Sequence, residues 1–140
     1  MKRIILIIGI ISSITNLSLA ADQKIDKKQV YELRKECGKT ALEYSQRWKL
    51  CDGVGDYQSH YNMKLNVCFI HMTASCNGEY GDSDKFWSES VVDVNENKKY
   101  ADYIGGAKLV GDKASLCYVD HNKCKSLAEF WELIKPYMNE

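Results

Sequence analysis

The chain has 140 residues with 19 basic and 19 acidic side chains, six cysteines and a single proline. That length fits one modest domain, and a neutral balance gives no bulk electrostatic reason to seek nucleic acid or anionic lipid. No internal repeat, low-complexity tract or proline-rich linker divides it.

The opening MKRIILIIGIISSITNLSLA has the make-up of a secretory signal peptide. Lys2 and Arg3 form the positive end, Ile4 to Ile11 the apolar core, and Ser18 and Ala20 the small residues before cleavage. The unbroken apolar run is too short to span a bilayer, which takes about 20 residues. Residues 1–20 are therefore expected to be removed, leaving residues 21–140 as one exported domain with no membrane span. Losing Lys2 and Arg3 leaves 17 basic against 19 acidic residues, a formal charge of −2. No cysteine follows the cleavage site before Cys37, which argues against a lipid anchor.

Residues 26–50 predict an amphipathic helix. Val30, Leu33, Cys37, Ala41, Tyr44 and Trp48 recur at steps of three and four and share one face. Gly38 weakens this helix, and DGVG at 52–55 ends it. HYNMKLNVCFIHM, residues 60–72, alternates. Tyr61, Met63, Leu65, Val67 and Phe69 are expected on one side of a single strand, with His60, Asn62, Lys64 and Asn66 on the other. From Cys68 onward Ile70 and Met72 make both sides apolar, as in a covered strand. By the same alternation His71 shares a face with Phe69 and is expected to be partly buried and hydrogen-bonded.

NGEYGDSD, 77–84, reads as a loop. Strands are expected at 86–94, where Val91, Val92 and Val94 are β-branched, at Tyr100 to Ile104, and at Ala114 to Val119. Ser126 and Glu129 form a capping-box pair that opens a final helix. It is expected to bury Leu127, Phe130, Trp131 and Ile134 and to end or kink at Pro136. Helix, four short antiparallel strands and helix make an α+β domain.

Six cysteines in an exported chain predict disulfides. Cys117 and Cys124 flank a short polar loop whose closure stabilises by roughly 2.5 kcal/mol. Cys37 and Cys51 are too far apart along a helix to join, since a bridge needs Cα atoms within about 7 Å. Cys37 is paired with Cys68, joining helix to sheet, and Cys51 and Cys76 remain for each other.

Other chemistry is weakly signalled. Cys68, His71 and Cys76 have zinc-like spacing, with His60 or His121 as a fourth ligand, but no CxxC occurs and oxidation competes for the thiols. Asp93, Asn95 and Asn97 begin like a calcium loop. Lys98 then replaces the required glycine, and Ile104 the bidentate glutamate. Ser59 beside His60 lacks a nucleophile elbow, and His121 with Asp120 has no free thiol if Cys117 is bridged. Glu79, Asp82 and Asp84 have no apolar pocket to raise a pKa. No catalytic residue, metal or cofactor is expected.

The segments HYNMKLNVCF, DVNENKKYADY and the closing cysteine pair with EFWELIKPYM carry a resemblance. The chain resembles a group of small exported bacterial proteins, without assigned activity, that share H-Y-N-x-K-L-N-x-C-F. The resemblance covers most of the mature chain. It implies a periplasmic or secreted single domain and lends no catalytic residue. Cys51 and Cys76 depart from the shared set, which favours their pairing. The function expected is contact with another envelope or secreted protein, as an inhibitor or immunity-like factor. His60, Asn62, Lys64 and Asn66, with Tyr57 and Tyr61 nearby, are the candidate contact stripe. The alternatives are a metal-dependent or hydrolytic exported enzyme using His60, His71 or His121, and a structural envelope component.

Overall fold

The structure, a computed structural model, describes residues 26–48, 55–78, 81–106 and 114–139. The expected leader, the DGV of 52–54 and Cys51 lie outside the described residues. Among the described residues the fold is α+β, with two helices and a six-stranded antiparallel sheet. Helix α1 spans Lys27–Arg47. The strands are β1 (Gly55–Asn62), β2 (Val67–Gly78), β3 (Gly81–Asp93), β4 (Lys98–Gly106), β5 (Ala114–Val119) and β6 (Asn122–Lys123), and helix α2 spans Leu127–Met138. The sheet is a simple meander in which every strand pairs with its sequence neighbour. No helix among the described residues is long and apolar enough to cross a membrane.

The main correction concerns residues 60–72. They are not one strand but a hairpin: β1 closes at Asn62, Met63 to Asn66 turn, and β2 opens at Val67. Asn66 takes φ 55°, the left-handed conformation that asparagine tolerates well. Its side-chain oxygen accepts the Tyr61 hydroxyl, which helps hold the turn. A turn of four residues reverses the parity of the faces. Asn62 stands opposite Val67 and His60 opposite Phe69, so even residues of β1 share a face with odd residues of β2.

The second correction concerns residues 77–84, expected to be a loop. β2 extends to Gly78 and β3 begins at Gly81, so most of the segment continues the hairpin. The strand expected at 86–94 therefore starts earlier, the one at 100–104 is longer at both ends, and β6 is added. Val94 to Asn97 form a second four-residue turn, again closed by an asparagine at positive φ, Asn97 at 53°. Asp93 Oδ1 accepts from the N–H groups of Asn95 (2.9 Å) and Glu96 (3.3 Å), an Asx-type turn.

Each face of the sheet carries one helix and one core. On the first, Cys37 and Ala41 of α1 meet Tyr61, Cys68, Ile70, Met72 and Val92, with Leu33, Tyr44 and Trp48 packed at the margin. On the second, Phe130, Ile134 and Met138 of α2 meet Phe69, Val91, Ala101, Tyr103 and Val119. The Cys37–Cys68 disulfide, with Cα atoms 5.4 Å apart, fastens α1 to β2. Cys117–Cys124 closes the β5–β6 turn, with Cα atoms 5.0 Å apart. Cys76 is also disulfide-bonded. Its expected partner, Cys51, lies outside the described residues.

Ser126 caps α2 by accepting the Glu129 N–H at 3.2 Å, and the Glu129 carboxylate accepts the Lys125 N–H at 2.8 Å. Pro136 does not end the helix, which runs on to Met138 and closes with the Asn139 N–H on the Lys135 carbonyl at 2.8 Å. So near the terminus a proline forfeits only one helical bond. Trp131 is not in the core. It is 41% exposed, on the flank of α2.

Candidate functional site

The four residues expected to form a polar stripe do not form one. His60 and Asn62 lie on β1, on the face that α2 covers, while Lys64 and Asn66 belong to the turn. Asn62 is 1% exposed. Its Nδ2 donates to the carbonyls of Pro136 (2.8 Å) and Tyr137 (3.2 Å), and its Oδ1 accepts the Leu65 N–H at 2.9 Å. The last carbonyls of a helix have no partner within it, and Asn62 supplies one from β1. The parity reversal at the turn puts this asparagine inward.

The three histidines are dispersed. His121 is exposed at the β5–β6 turn, with Nε2 3.6 Å from Asp120 Oδ1. His60 is half-buried on β1. His71, on β2, is buried, and its Nε2 lies 3.0 Å from Glu89 Oε2 on β3. Both side chains of that pair are less than a tenth exposed. A buried polar pair costs its desolvation unless the partners satisfy each other, and these two do.

Around this pair the structure gathers what the sequence kept apart. Trp131 of α2 meets the His71 ring edge-on, with centroids 4.8 Å apart and planes at 77°. A small pocket of about 110 Å³ lies there, lined by Gln58, His71, Trp131, Ile134, Lys135 and Met138 among others. Glu89 also lines a wider, shallow cleft of about 370 Å³ with Gly55, Asp56, Thr73, Ser75 and Trp87. Trp87 is two residues from Glu89 on β3, so both point to the same face. It is 37% exposed. Its six-membered ring lies against Gly105 of β4, where an added Cβ would stand 2.9 Å from two ring atoms. At Gly55 an added Cβ would stand 2.2 Å from the Thr73 carbonyl oxygen. Gly55 thus lets β1 approach β2 at the cleft, and Gly105 leaves room for the Trp87 ring.

The arrangement is a polar cleft bordered by Trp87 and a small pocket bordered by Trp131, joined by the buried imidazole–carboxylate pair of His71 and Glu89. Hydroxyls, an amide and carboxylates suit hydrogen-bonded recognition. Among the described residues no group of three or more His, Cys, Asp and Glu side chains could hold a metal ion. Cys68 and Cys76 are committed to disulfides.

A second polar cluster occupies the opposite face. Ser90 Oγ donates to Asp102 Oδ1 at 2.7 Å, and Lys99 Nζ is 2.8 Å from Asp102 Oδ2. Burial and the neighbouring Asp102 raise the pKa of Tyr118. Sequence reasoning missed Glu89, Trp87 and this cluster. All sit on strands whose pairing decides who meets whom, and the only advance signal was the alternation that put His71 with Phe69.

Among the described residues, the fold and site define a two-helix, single-sheet α+β protein with a polar cleft bordered by Trp87. No protein-family model, characterised protein or solved structure matches the chain.

Proposed function

We propose that this is an exported protein, periplasmic or secreted, that works by contact with another protein through the face bearing Trp87 and Trp131. The reading rests on two exposed indoles: Trp87, 37% exposed, borders the cleft lined by Asp56, Thr73, Ser75 and Glu89, and Trp131, 41% exposed, borders the small pocket at His71, whose ring partner Glu89 joins the two. Half-exposed tryptophans beside polar side chains have the make-up of an interface centre with its polar surround. The disulfides, the leader-like first 20 residues and the resemblance to small exported bacterial proteins support the location.

The test is site-specific photocrosslinking in cells exporting the protein. A photoreactive side chain at position 87 or 131 is expected to yield a discrete adduct, and one at position 28, on the exposed start of α1, none. Equal labelling from all three positions, or none from any, overturns the reading.

A second reading, hydrolysis, rests on the carboxylate-oriented His71 lining the small pocket beside Trp131. It requires that His71→Asn abolish turnover of a chromogenic ester or glycoside while the fold survives.

A further inference from the structure

The two edges of the sheet are unlike. β6 is two residues long and is tied back to β5 by Cys117–Cys124, so that edge presents almost no ladder. β1, at the other edge, is eight residues long. It contains no lysine and no proline, and it pairs with β2 through eight consecutive partners without a bulge. Lysine, proline and bulges are among the devices that ordinarily blunt an edge strand, and β1 has none of these three; its one charged side chain at neutral pH is Asp56. In an antiparallel ladder a strand spends alternate backbone groups on its neighbour. Among the described residues, the other groups of Gly55–Asn62 point out of the sheet. Gly55 to Gln58 are exposed there, and Tyr57 leaves 39% of its surface in water.

We propose that β1 pairs antiparallel with β1 of a second copy of this chain, about a two-fold axis through Gln58. The register follows from parity and charge. Asp56, Gln58 and His60 lie on the α2 face, and Tyr57 and Ser59 on the α1 face. Residues directly opposite in an antiparallel pair share a face, so the axis must pass through a residue and not between two. Centred on Gln58, each Asp56 stands opposite His60 of the other copy, Gln58 opposite itself, and Tyr57 opposite Ser59. Centred on Tyr57, Asp56 meets Gln58. Centred on Ser59, Asp56 meets Asn62, which is already committed to α2. Among these central registers, only the one at Gln58 sets the strand's single carboxylate against its single imidazole, and it does so twice. Such pairs fix register and orientation as well as adding attraction. Pairing joins two six-stranded sheets, covers Tyr57 and places both Trp87 clefts on one face.

Sedimentation equilibrium of the oxidised protein, with its leader removed, tests this from micromolar to near-millimolar concentration. A monomer–dimer equilibrium is expected. Asp56→His, which opposes two imidazoles, and His60→Asp, which opposes two carboxylates, are each expected to weaken it about tenfold. The exchange Asp56→His with His60→Asp is expected to restore the dimer. Amide exchange in Gly55–Asn62 should slow as concentration rises. A monomer at every concentration, or a dimer indifferent to Asp56→His, overturns the proposal. Asp56 is exposed, so that variant decides even where His60→Asp harms folding.

Discussion

Asn62 and Pro136 are 74 residues apart in sequence and joined by a 2.8 Å hydrogen bond from the Asn62 amide to the Pro136 carbonyl. The same side chain reaches the Tyr137 carbonyl and the Leu65 N–H, so it ties the end of α2 to both β1 and the hairpin turn. Truncation leaves three polar groups without this partner at a site that is almost wholly buried. Asn62→Ala is expected to lower unfolding free energy by about 2–3 kcal/mol, measured by urea denaturation. A change within a few tenths of a kcal/mol would show that water replaces the amide at little cost.

The His71–Glu89 pair predicts non-additivity. Glu89→Leu or His71→Leu alone leaves a buried polar group unmatched and is expected to cost about 3 kcal/mol each. The double substitution removes both and should cost less than the sum by about 1–3 kcal/mol. Simple addition in the double-mutant cycle would mean that the contact contributes no coupling.

Gly38 lies inside α1 with its open side toward β1. An added Cβ would sit 3.9 Å from Ser59 Oγ, an ordinary contact. Gly38→Ala is therefore expected to stabilise the protein by about 0.5–1 kcal/mol through the helix backbone alone. A lower thermal midpoint would mean that α1 and β1 approach more tightly than this.

Two of the disulfides close loops of unequal length. Cys37–Cys68 spans 31 residues and Cys117–Cys124 spans 7. On the chain-entropy model they contribute about 3.7 and about 2.5 kcal/mol. Paired alanine replacement should therefore cost more for the first, and the loss of packing between α1 and β2 should widen the gap. Equal denaturation midpoints for the two double variants would contradict this.

Alkaline pH should weaken the fold through two tyrosines. Burial raises the pKa of Tyr137, with the charges of Asp120 and of the Tyr100 phenol adding to the shift and Lys98 opposing it. Burial and then Asp102 raise that of Tyr118, against Lys99. Each folded phenol keeps its proton to higher pH than in the unfolded chain, so its contribution is intact below the ordinary value of 10.0 and falls as pH rises past it. Unfolding free energy measured from pH 9 to 11.5 should decline less in Tyr137→Phe than in the natural sequence. Parallel pH profiles would sink the idea.

Much of the fold was legible where a single period ran long enough. The 3.6-residue stripe from Leu33 to Trp48 marked α1, and Ser126 with Glu129 marked the start of α2. The hairpin at 63–66 was hidden for a physical reason. Met63 and Leu65 continue the alternation through the turn, no glycine or proline interrupts it, and the left-handed residue is an asparagine. A periodicity argument cannot see a reversal that conserves the period. That hidden turn also concealed the site. Once parity reverses, Asn62 moves inward, and the stripe expected along 60–66 gives way to the proposed contact at Thr73, Trp87, Glu89 and Trp131. Those residues come from two strands and a helix, and their meeting depends on cross-strand register.

The meander leaves α2 as the last described element, and its 12 residues cover one whole core. Strands that pair only with their sequence neighbours can zip together as the chain emerges, because each ladder closes a short loop. The apolar side formed by Phe69, Val91, Ala101 and Tyr103 still has no cover until Phe130 and Ile134 arrive. During synthesis, the half-finished molecule thus presents a sticky sheet. A chain cut short before Leu127 would keep most of its strands and remain prone to self-association.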